Sequence, residues 1–112
     1  MIKQQQNPKI PASEVASNLA GLYGQPFGGK PTGRYRVSPK LMRRLSGRRR
    51  LSEGFIRDLA DEMFELGFVL VDLELFYAVA SVQTFGSYRR LGDAQVESLT
   101  PKHDDDLDIE DT

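Results

Sequence analysis

The chain has 112 residues, 39% hydrophobic and 28% charged, with a formal net charge of −1 and no cysteine. A chain of this length holds at most one domain around one small core, and without cysteine it has no disulfide framework and no thiolate metal site. No run approaches the roughly 18 apolar residues of a membrane span, and the opening MIKQQQNPKIP lacks the apolar centre of a secretion signal, so a cytoplasmic location is expected.

Residues 1–10 are polar, with three glutamines and a proline, and read as a disordered N-terminus. The ordered domain is expected over 11–92. Its first helix spans about 13–23, where Ser13 can cap and Val15, Leu19, Leu22 and Tyr23 recur at helical spacing. Six of the next ten residues, GQPFGGKPTG, are glycine or proline, which predicts a loop. Gly24, Gly29 and Lys30 satisfy the G-x-x-x-x-G-K of a phosphate-binding loop. Pro31, however, stands where that motif needs a hydroxyl, and the loop follows a helix instead of a strand, so nucleotide binding is rejected.

Arg34 to Val37 alternates like a short strand. Ser38-Pro39 then gives a cap followed by proline at the first helical position; Leu41, Met42 and Leu45 supply the inner face, and Gly47 ends the helix. The third helix, over 52–66, has the strongest signals. Ser52 caps it, Leu51 staples onto Ile56, and Phe55, Ile56, Leu59, Ala60, Met63 and Leu66 form one apolar stripe that Gly67 stops. Residues 68–85, FVLVDLELFYAVASVQTF, are β-branched and aromatic, which predicts an antiparallel hairpin turning near Asp72–Glu74. A buried helix over 73–83 is the alternative, because short apolar runs are ambiguous by periodicity. Residues 93–112 read as a flexible acidic tail.

The near-neutral total hides a segregation of charge. Lys30 to Arg50 holds nine bases and no acid, Glu53 to Glu74 holds seven acids and one arginine, and 104–112 holds six acids and no base. Such asymmetry bears on partners more than on fold. The tail could reach the basic block as an intramolecular polyanion, or act only as a solubiliser.

Helix, short strand, helix, turn, helix, hairpin is the element order of the winged helix-turn-helix, and residues 13–88 resemble that superfamily in topology. The stretch LADEMFELGFVLVD, residues 59–72, looks like the end of its third helix running through Gly67 into the first wing strand. The resemblance implies an α+β fold and DNA binding, with the third helix in the major groove and the wing beside it. The residues depart from that docking. Asp58, Asp61, Glu62 and Glu65 would face phosphates, as would Asp72 and Glu74 at the wing tip, and only Arg57 suits guanine reading.

The better phosphate-binding candidates are Arg34 and Arg36 from the strand, Lys40, Arg43 and Arg44 from the second helix, and Arg48, Arg49 and Arg50 from the turn, with Arg57 entering the groove. Pairing of these arginines with the acidic face of the same or a neighbouring molecule is an equal reading. The leading expectation is a small accessory or regulatory winged-helix protein that binds double-stranded DNA. A protein-interaction module using the acidic third helix and tail comes next, and RNA or single-strand binding third. A homodimer is admitted; a membrane partner and a cofactor are not expected.

Enzymatic readings fare poorly. His103 is the only histidine, so a catalytic triad or histidine metal site lacks support. Asp104–Asp106 and Asp108 lack the spacing of a calcium loop and read as solvated tail. Phe76, Tyr77, Phe85 and Tyr88 read as packing groups; two of them on an open sheet face beside arginines would favour single-strand binding instead.

Overall fold

A computed structural model describes residues 8–101. The expectations for 1–7 and for the acidic tail at 104–112 lie outside the described residues.

The first helix, α1, runs Ala12–Leu22. Ser13 does not cap it. Pro11 takes the preceding position, and its carbonyl accepts from the Glu14 and Val15 N–H groups at 3.0 Å each. The glycine-rich loop that follows is a tight reversal. Phe27 and Lys30 exchange backbone hydrogen bonds of 3.0 and 3.1 Å across Gly28 and Gly29, whose φ of +62° and +83° suit residues without a Cβ. Gly29 and Lys30 are thus taken up by a turn and do not open a helix.

Strand β1 is Tyr35–Val37, followed by α2, Pro39–Ser46. The Ser38 hydroxyl accepts from the Leu41 N–H at 3.1 Å, and Gly47 turns left-handed at φ +67°, as the cap and stop signals require. The inner face departs from expectation at one position. Met42 and Ser46 are fully buried, Leu45 is half-buried, and Leu41 is 45% exposed. The buried Ser46 hydroxyl donates to the Arg43 carbonyl at 3.3 Å, which satisfies it inside its own helix.

Helix α3, Glu53–Glu65, is the longest, and Ser52 caps it by accepting from the Phe55 N–H at 3.1 Å. Phe55, Leu59 and Met63 are buried; Leu66, expected in the same stripe, ends the helix with its side chain exposed. Gly67, at φ +92°, leads into β2, Phe68–Asp72, which pairs antiparallel with β3, Tyr77–Ser81. The hairpin forms, and the helix considered over 73–83 does not. Its turn is held by the Asp72 carboxylate, which accepts from the Glu74 N–H at 2.8 Å. Glu74 adopts φ +73°, a conformation usually left to glycine or asparagine.

Strand order is β1-β3-β2, so β3 is central, with Tyr35 opposite Val79 and Val37 opposite Tyr77. Val37, Tyr77 and Val79 close the core against Val15, Ala16 and Leu19 of α1, Met42 of α2 and Phe55, Leu59 and Met63 of α3. The result is a small α+β domain with a three-stranded antiparallel sheet, compatible with winged-helix topology.

Beyond β3 the expected strand end at 82–85 is a 3-10 turn, Val82–Ser87, with the Ser81 hydroxyl accepting from Gln83 N–H. Residues 93–99, expected as part of the tail, form a helix, α4, Asp93–Leu99, none of whose residues is buried. Among the described residues no helix is long and apolar enough to cross a membrane.

Candidate nucleic-acid interface

Lys40, Arg43 and Arg44 stand three and four residues apart on α2, the spacing that puts side chains on one helix face, and all three are exposed. Arg43 and Arg44 also occupy the last turn, where positive charge complements the helix dipole. The Arg48 N–H returns to the Arg43 carbonyl at 3.0 Å, closing the helix end, and sends Arg49 and Arg50 into the connection to α3 with both side chains in solvent.

Strand β1 adds Arg36, since alternation turns Tyr35 and Val37 into the core and Arg36 to the opposite face. Arg36 shares that face with Ala78, its partner on β3, and its guanidinium lies 5.1 Å from the centre of the Phe76 ring. Arg34, just before the strand, is exposed. The Tyr77 hydroxyl is pushed up from its ordinary range by burial and by the Asp72 carboxylate, and pulled back by the Arg43 guanidinium. Arg57 is exposed near the start of α3.

Arg48 behaves differently. It is half-buried, and its Nη1 donates to the Ile10 carbonyl at 2.6 Å and to the Ser46 carbonyl at 3.0 Å. Its guanidinium carbon stands 3.8 Å over the centre of the Phe55 ring. A guanidinium whose Nη1 bonds two carbonyls and whose face lies on an aromatic ring is a strut between segments. Of the nine basic residues singled out from the sequence, eight are exposed and one, Arg48, is half-buried.

Carboxylates take the outer side of α3. Asp58, Asp61, Glu62 and Glu65 are all exposed at spacings of three, four and seven, a single negative stripe, and Phe64 beside them is 63% exposed. Among the described residues, no group of three or more His, Asp or Glu side chains is placed to hold a metal ion. Arg89 and Arg90 add exposed positive charge between the 3-10 turn and α4.

One basic residue emerges that the sequence did not mark. Ile10 N–H donates to the Ser46 carbonyl at 3.0 Å, which lays Pro8–Ile10 across the end of α2 and places exposed Lys9 beside the arginine-rich turn. No local pattern could have signalled this, because the bond joins residues 36 positions apart.

No family model matches the chain, and neither the curated proteins nor the solved structures provide a similar one.

Proposed function

We propose that this chain is a winged-helix protein that binds double-stranded DNA through its β1, α2 and turn arginines. One observation carries the reading: Arg34, Arg36, Lys40, Arg43, Arg44, Arg49 and Arg50 are all exposed within a stretch that contains no acid. The element order and the β1-β3-β2 sheet support the winged-helix assignment.

The mode of docking differs from the one usual for that fold, in which the third helix fills the major groove. Carboxylates along α3 repel phosphates, so α2 and the turn hold the backbone and Arg57 alone is offered to base edges. Phosphate contacts of this kind fix position and carry little sequence information. The protein is then an accessory or regulatory binder of low sequence preference.

A mobility shift with random duplex at two salt concentrations tests the proposal. Duplex binding should weaken as salt rises, and Arg43→Ala with Arg44→Ala should lower the slope of log affinity against log salt by about 0.9 for each phosphate no longer neutralised. Unchanged affinity and slope would leave the second reading ahead, a protein-docking module built on the acidic face of α3. The exposed Phe64 beside Asp61 and Glu65 favours that alternative.

A further inference from the structure

Pro8–Ile10 is bound as a strap. It is held by the Ile10 N–H on the Ser46 carbonyl at 3.0 Å and by the Arg48 guanidinium on the Ile10 carbonyl at 2.6 Å. The Ser46 carbonyl accepts from both, so the end of α2, the strap and the turn meet at one oxygen. Gly47 forms the seat. Its φ is +67°, and a Cβ built there would collide with the Pro8 carbonyl oxygen and stand 3.4 Å from the Lys9 Cα.

We infer that Lys9 is a further phosphate-contacting residue of the duplex-binding surface and that Arg48 is the positioning residue that delivers it; this rests on the duplex-binding reading above. Lys9 is exposed, and its backbone lies against Gly47, the residue that separates Arg43 and Arg44 of α2 from Arg49 and Arg50 of the turn along the chain. A duplex carries one negative charge per about 1.7 Å of axis, so a cation added to the edge of a basic surface meets a phosphate without any special register. Arg48 has the opposite role. Its Nη1 donates to two backbone carbonyls and its guanidinium carbon stands 3.8 Å over the Phe55 ring, so it fixes the strap to α3.

The experiment is a mobility-shift salt titration of the full chain on random duplex, with Lys9→Ala, Lys9→Glu and Arg48→Met, with Arg43→Ala as reference, and with Lys9→Ala and Arg43→Ala each repeated in the Arg48→Met background. Arg48→Met keeps an aliphatic side chain and removes the donors. Lys9→Ala should reduce the salt slope by about 0.9, and Lys9→Glu should weaken binding further. In the Arg48→Met background, Lys9→Ala should lose most of its effect while Arg43→Ala keeps its own. A purely structural role for Arg48 would not produce that selective coupling.

Lys9→Ala with wild-type affinity and slope, while Arg43→Ala reduces both, would overturn the inference and leave the duplex-binding reading standing. A full Lys9 effect in the Arg48→Met background would overturn the positioning role. Absence of duplex binding by the wild-type chain would remove the parent reading and this one with it. Because Lys9 is an exposed residue outside every helix and strand, its variants test the phosphate contact even if Arg48→Met unfolds the domain.

Discussion

Replacing Gly47 and Gly67 by alanine, one at a time, separates backbone strain from the seat of the strap. Both are left-handed, at φ +67° and +92°. An alanine in that region costs about 1–2 kcal/mol. On backbone grounds alone Gly67→Ala is the worse of the two, since +92° lies further from the left-handed well near +57°. Surroundings reverse the order. A methyl at Gly67 meets nothing within 4 Å, whereas at Gly47 it meets the backbone of Pro8 and Lys9. To admit it, the strap must leave, breaking the Ile10–Ser46 bond and the Arg48–Ile10 bond. A neutral bond contributes about 0.5–1.5 kcal/mol and a charge-assisted one about 1.5–3. Arg48 is half exposed and water replaces part of its bonding, so about 1–3 kcal/mol is added, for a total of about 2–5 kcal/mol. Urea unfolding of both variants in one buffer measures the difference. A Gly47→Ala penalty no larger than that of Gly67→Ala would refute the seat of the strap, whatever its absolute size.

Leu59 is fully buried between α1 and the sheet, so Leu59→Ala should cost about 2–5 kcal/mol in the same assay; less than about 1 kcal/mol would mean that the stripe of α3 does not face the core. The Tyr35 hydroxyl donates to the Leu19 carbonyl at 2.6 Å, and burial raises its pKa above the ordinary value. The unfolded chain then loses this proton first, so stability is full below about pH 10 and falls as pH rises beyond it. Tyr35→Phe should be less stable by about 0.5–1.5 kcal/mol at neutral pH and show a flatter decline above pH 10; an equally steep decline would place the titration elsewhere. Arg57→Ala should relax whatever base preference exists by about 1–3 kcal/mol at one base pair, measured by competition among single-site duplex variants. A uniform loss across all variants would make Arg57 one more phosphate-binding residue.

Much of the domain was legible in short-range sequence. Ser38-Pro39 and Ser52 start helices, and Gly47 and Gly67 end them, because caps and left-handed stops act within four residues. The stripe Phe55, Leu59, Met63 announced its own burial for the same reason: helical period is a local property. The β2–β3 turn was placed only roughly, since Glu74 takes a left-handed conformation that its type does not advertise and the Asp72 carboxylate holds it there. That most of the basic run would lie in solvent was legible from charge, because cations are seldom fully buried without a partner.

Tertiary structure decided what depends on distant partners. Whether Leu41 or Ser46 turned inward depended on where α1 and the sheet lie against α2. The Ser46 hydroxyl can be buried there because the Arg43 carbonyl accepts its proton, and Leu41 was left half in solvent. Within the run of three arginines, residue type is identical and local charge nearly so. Only Arg48 finds a carbonyl 38 positions away and a ring on the next helix, and that turns it inward while Arg49 and Arg50 stay out. A charge run specifies that cations are present; which of them face a partner is set by packing between segments remote in sequence.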